Sequence, residues 1–186
     1  VAVSMLLTWM LSAAIVVVIL MTPTLLQKQF HIAPATALLA NGVATLCLTL
    51  GCVVAGSIAG RIGAGRTLFI GGFALAASYY VMFAQLTVDP AKLLPLYALT
   101  GFLVGVIGAV PFVMVKAFPA AVRFSGISFS YNVAYAVFGG LTPVVVSLMM
   151  KSNPMAPALY VGAVCMVGAL TTFFIKDAQQ GQAPGR

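Results

Sequence analysis

Charge is what this sequence most lacks. Nine of its 186 residues are Lys or Arg and two are Asp or Glu, so charged residues make up only 6%. A domain surrounded by water carries roughly 25%. This scarcity excludes an ordinary soluble fold and leaves lipid as the solvent. The two acids, Asp89 and Asp177, and the single histidine, His31, all fall outside the long apolar runs. Proton relays through membranes are normally built on such groups, so no apolar run here carries one. Cys47, Cys52 and Cys165 stand inside apolar runs without CxxC spacing or a neighbouring His cluster, and are read as small buried hydrophobes. No nucleophile stands beside a base, and there is no metal-ligand set or phosphate loop, so nothing points to an enzyme, a metal or a cofactor. The formal charge of +7 is carried by basic residues scattered singly between apolar runs. That is a topology signal, and a nucleic-acid partner is excluded.

What is abundant is apolar: 62% of residues are hydrophobic, and the mean hydropathy is +1.14. Six apolar runs cover about 3–26, 35–59, 67–87, 94–115, 127–150 and 157–175. Each is near the ~20 residues that a helix rising about 1.5 Å per residue needs to cross a ~30 Å hydrocarbon core. They lack the alternation of barrel strands, and backbone amides facing lipid must be paired internally, so the fold class is an all-α membrane protein of six transmembrane helices. The first run is too long for a signal-peptide core and has no basic region before it; it is read as a true span of a fragment. Arg61, Arg66, Lys116, Arg123, Lys176 and Arg186 fall on one side, and Lys28, Lys92 and Lys151 on the other. That asymmetry places the Arg-bearing loops and both termini in the cytoplasm. The polar segment 176–186 is read as a disordered cytoplasmic tail.

Polar residues inside the runs are not random. In the fifth, Ser128, Tyr131, Asn132 and Tyr135 fall at i, i+3, i+4 and i+7, one stripe of a helix; in the second, Asn41, Thr45 and Thr49 are stacked four apart. Unpaired amides and hydroxyls in hydrocarbon are costly, so these stripes turn from lipid, either to bond other helices or to wall a cavity. Gly56 with Gly60 and Gly101 with Gly105 have the spacing that lets helix backbones approach closely, and Pro111 and Pro143 should kink or loosen their helices.

The residues from Pro119 to Pro143 form the pattern PxxVRxSGxSxxYNxxYAxFGGxxP. It resembles the loop and eleventh helix of the metabolite:proton symporter branch of the major facilitator superfamily, which includes carriers of proline and betaine, citrate, 2-oxoglutarate and shikimate. The segment "AGSIAGRIGAGR", 55–66, is similar to the C-terminal-half copy of the superfamily's GxxxDRxGRR loop: Gly56, Arg61 and Gly63 keep their places, but Gly60 stands where the acid is expected and Ala64 and Gly65 where basic residues are, leaving Arg66 just beyond. The resemblance implies the C-terminal half of such a carrier, made of two inverted three-helix repeats, with a solute site at the membrane midplane between the halves.

The resulting expectation is secondary active transport of a small organic acid or zwitterionic metabolite or osmolyte by proton symport with alternating access, in a bacterial inner membrane. The partners are the solute, protons, lipid and a missing N-terminal six-helix half, which would hold the main proton site. Asn41, Thr45, Tyr131, Asn132 and Tyr135 are the candidate cavity wall; Gly56, Arg61, Gly63, Arg66 and Arg123 are the candidate gating and loop residues. The alternative is a self-standing six-span interaction or assembly protein without transport activity, its polar stripes serving as helix glue.

Overall fold

A computed structural model describes residues 2–116 and 118–180, with 173–180 given as helix backbone only. It is all-α; among the described residues there is no strand. Six helical rods follow one another: α1 (Ala2–Gln29), α2 (Pro34–Ile62), α3 (Ala64–Leu86), α4 (Pro90–Val115), α5 (Arg123–Met150) and α6 (Ala156–Gln180). The first five are long and apolar enough to cross a membrane, and α6 adds a shorter apolar stretch, Ala156–Thr172. Of the segment read as a tail, 176–180 end α6, and 181–186 lie outside the described residues.

Local chemistry ends each rod. His31, exposed with φ 52°, reverses the chain after α1, and the Ile32 amide donates back to the Leu26 carbonyl. Pro34 then starts α2, where its missing N–H costs nothing. Gly63, at φ 93°, separates α2 from α3 in a conformation that glycine adopts without strain. Asp89 accepts from the Ala91 amide and pairs with Lys92 at 3.7 Å, which makes this acid a turn cap.

The packing order is not the chain order. α1 is the central rod and touches α2, α4, α5 and α6; α2 lies along α4, and α3 along α6. Two thirds of the most apolar window of α1 is buried, against 22% for α2 and 17% for α5. Exchanging α1 with α4, α2 with α5 and α3 with α6 carries the pairings onto themselves: α2–α4 becomes α5–α1, α1–α6 becomes α4–α3, and α1–α2 becomes α4–α5. Because α1 and α4 run in opposite directions, the two three-helix units are related as inverted repeats.

The two glycine pairs part company. A Cβ on Gly101 would strike the backbone of Ala44, and one on Gly105 the backbone of Gly51 and Cys52, so α2 and α4 meet backbone to backbone. A Cβ on Gly56 or Gly60 would meet nothing within 4 Å among the described residues. Of the later pair, Gly139 lies against Tyr135 and Ser12, whereas Gly140 is open.

Three proline-bearing rods leave regular α geometry just before the proline. α1 is a π-helix over Ala14–Met21 ahead of Pro23, α4 a 3-10 helix over Gly105–Ala109 ahead of Pro111, and α5 a π-helix over Tyr135–Gly139 ahead of Pro143. A proline ring clashes with the carbonyl four residues back, and the turn there rewinds to avoid it.

Candidate functional site

The rewound turns leave carbonyls without donors, and two polar networks answer them. In the π register of α1 the Thr22 amide donates to Val17, five residues back. The next amide would serve Val18, but residue 23 is proline and has none. The Tyr97 hydroxyl of α4 takes its place, 2.7 Å from the Val18 carbonyl. Asn41 of α2 reaches the same hydroxyl through its amide oxygen position at 2.6 Å. A hydroxyl has a single hydrogen, so with Tyr97 donating to Val18 the contact is satisfied when Asn41 presents its NH2 to Tyr97. Beside this, Thr22 donates to the Val17 carbonyl at 2.9 Å and accepts from the Tyr79 hydroxyl at 2.9 Å. α1, α2, α3 and α4 are thereby joined through Thr22, Tyr79, Tyr97 and Asn41.

α5 repeats the arrangement. Pro143 cannot supply the amide that Phe138, five residues back, would accept in a π register, and the Thr142 hydroxyl donates there at 2.6 Å. Tyr160 of α6 in turn donates to Thr142 at 2.8 Å and accepts from the Trp9 indole of α1 at 3.1 Å, while the Trp9 ring stacks on Phe138 with centroids 4.6 Å apart. This network ties α1, α5 and α6.

The polar stripe of α5 behaves differently. Tyr131 and Asn132 are exposed, and Ser128 and Tyr135 half-buried. The Asn132 side chain donates only to the Ser128 carbonyl one turn back, and the Tyr131 and Tyr135 rings stack on each other at 5.5 Å. Ser130, on the opposite face, is buried toward the bundle. α2 is split. Asn41 is held inside by Tyr97, whereas Thr45 and Thr49 are exposed and bond only to the carbonyls of Asn41 and Thr45. Thus Thr45, Tyr131 and Asn132 stand on uncovered surface, and Asn41 and Tyr135 at its inner edge.

Of the loop residues, Arg61, Gly63 and Arg66 are exposed at the turn between α2 and α3, with Gly56 exposed two turns earlier. Arg61 and Arg66 have no ion pair among the described residues. Arg123 is the first residue of α5, and its Nε donates to the Phe118 carbonyl at 3.3 Å. The Phe118 ring occupies the space that a Cβ on Gly126 would need. The VRxSG stretch therefore clamps the preceding loop by its backbone and its ring.

Sequence reasoning missed Trp9, Thr22, Tyr79, Tyr97, Thr142 and Tyr160. Only the prolines one residue beyond Thr22 and Thr142 hinted at a carbonyl needing a donor.

No family model and no solved structure matches the chain. Among curated proteins, 166 residues, 87% of the chain, are 25% identical to a putative proline/betaine transporter of Staphylococcus aureus. A further 65 residues, 34% of the chain, are 32% identical to 13% of an ectoine/proline transporter of Corynebacterium glutamicum. A stretch of 176 residues, 92% of the chain, is 24% identical to a citrate-proton symporter of Klebsiella pneumoniae. The chain is similar to membrane solute transporters. It spans 35% of the length of the first of these relatives and 40% of the citrate-proton symporter. The relatives' names fall among the carriers that the Pro119–Pro143 pattern resembles.

Proposed function

We propose that this chain is the C-terminal half of a bacterial inner-membrane carrier, non-enzymatic and free of cofactor, that moves a small organic acid or zwitterionic solute together with protons by alternating access. The observation that carries this reading is the uncovered polar surface of α2 and α5. They are the two least buried of the five long rods, yet they expose Thr45, Thr49, Tyr131 and Asn132, whose hydrogen bonds and ring contacts among the described residues stay within their own helices. A hydroxyl or amide facing hydrocarbon is costly, so this face calls for protein, water or solute against it. The chain covers little more than a third of its transporter relatives, and the missing half is the natural cover.

In this reading one cavity wall comes from each repeat: Asn41 and Thr45 from α2, Tyr131, Asn132 and Tyr135 from α5. The stacked tyrosines offer an apolar face beside a primary amide, which suits a solute with a small apolar body and a polar head. Asn41 also touches Tyr97, which holds the rewound turn of α1, so a solute drawing on Asn41 acts on the central rod. No Asp, Glu or His lies in the apolar runs, and the proton site belongs to the absent half. Arg123, clamping the Phe118 loop at the start of α5, acts on conformational exchange.

The test is transport by the intact carrier. Asn132→Ala and Tyr131→Phe each delete one hydrogen-bonding group, worth ~0.5 to 1.5 kcal/mol, or about two- to twelvefold in apparent affinity. Arg123→Ala should lower the maximal rate with affinity unchanged. Wild-type affinity and selectivity in both stripe variants, accompanied by lower thermal stability, would replace the cavity wall with the helix-glue reading.

A further inference from the structure

On the side of α2 away from Gly56 and Gly60, a groove of about 180 Å3 opens between α2, α3 and α4. Val54, Ile58 and Ile62 of α2, Ile70 of α3, and Phe102 and Val106 of α4 line it. The four α2 and α3 residues are each 40% or more exposed, so the groove opens outward. It reaches from Ile62 to Gly51, eleven residues, or about 16 Å at 1.5 Å per residue. That is about half of a ~30 Å hydrocarbon core, the depth of one leaflet. Ile58 is two residues from both Gly56 and Gly60, about 200° around the helix, so a partner seated on the glycines leaves this groove to lipid.

Among the described residues, the groove meets charge at the α2–α3 turn, and that charge is positive. Arg61 lies at i+3 from Ile58, and Arg66 at i−4 from Ile70, so each arginine shares a helix face with a groove wall. Both are exposed, and neither has an ion pair among the described residues. Between them α3 begins at Ala64, capped by no side chain and with no acid in its first turn. Free amides at a helix start favour an anion, and a guanidinium fork matches phosphate oxygens.

We propose that this groove is a binding site for an anionic phospholipid, one acyl chain lying against Val54, Ile58 and Ile70 and the phosphate held by Arg61, Arg66 and the start of α3. The proposal rests on membrane insertion alone and is independent of transport. The experiment is native mass spectrometry of the delipidated, purified protein titrated with phosphatidylglycerol or with phosphatidylcholine of the same acyl chains. Two basic groups at the surface should favour phosphatidylglycerol by about tenfold or more. The paired change Arg61→Gln and Arg66→Gln should bring the ratio to about one. Gly60→Asp places a carboxylate beside the arginines in open space and should weaken phosphatidylglycerol alone. Ile58→Trp, at the exposed mouth, should reduce retention of both lipids by filling the groove. Equal retention of the two lipids by the native protein would overturn the proposal, as would an unchanged preference in the double-arginine and Gly60→Asp variants. Displacement of phosphatidylglycerol by equimolar glycerol phosphate would also overturn it, because a headgroup alone would then suffice.

Discussion

Gly105→Ala should force α2 and α4 apart. The added Cβ would land on the backbone of Gly51 and Cys52, where no side-chain rotation can make room. Overpacking of this kind costs ~1 to 3 kcal/mol. Alanine recovers ~0.5 to 1 kcal/mol of the backbone entropy that glycine loses in a helix. The net loss centres on ~1.2 kcal/mol, within a range of ~0 to 2.5, and its central value is close to a tenfold change in the folding equilibrium. Gly56→Ala, with nothing within 4 Å of the new methyl, should be neutral or stabilising by up to ~1 kcal/mol. The assay is unfolding in mixed micelles of rising dodecyl sulfate content, followed by the emission of Trp9, the chain's single tryptophan, which stacks on Phe138 across the α1–α5 contact. Gly105→Ala should unfold at a lower sulfate fraction and Gly56→Ala at or above the native one. An unshifted Gly105→Ala midpoint, or an equal loss in Gly56→Ala, would refute the backbone-to-backbone contact. If the Gly56 face seats the missing half, the same Gly56→Ala change should impair the intact carrier despite leaving this chain stable.

Single cysteines in a background lacking Cys47, Cys52 and Cys165 test the orientation: Ser125→Cys should react with impermeant reagent only from the cytoplasm, and Ser152→Cys only from outside. The reverse pattern would invert the membrane placement. Tyr160→Phe removes the hydroxyl shared by Trp9 and Thr142, and should lower stability by ~0.6 to 1.7 kcal/mol while changing Trp9 emission. An unchanged spectrum and midpoint would show that this bond does not form in the membrane.

The sequence by itself determined the six rods, because an apolar run near 20 residues must satisfy its own backbone in lipid and a helix is the local way to do so. It determined where two of them rewind, ahead of Pro111 and Pro143, since the clash of a proline with the carbonyl one turn back involves no other helix; the third such turn, ahead of Pro23, was seen only in the structure. The residue pattern from Pro119 to Pro143 also pointed to solute carriers, and the similar proteins are transporters. Tertiary structure decided which faces are inside. Lipid tails are as apolar as leucine, so hydropathy does not mark a buried face: α3, at mean hydropathy 1.6, is more buried than α2 at 2.0. For the same reason spacing did not separate Gly101 and Gly105, pressed on α2, from Gly56 and Gly60, which stand open. Nor did it separate Asn41, bonded to Tyr97, from Thr45 one turn away on the surface. The networks of Thr22, Tyr79 and Tyr97, and of Trp9, Thr142 and Tyr160, draw partners from separate helices far apart in the chain. Such pairs come into reach only when the rods pack, and no local pattern encodes which hydroxyl will meet which orphaned carbonyl.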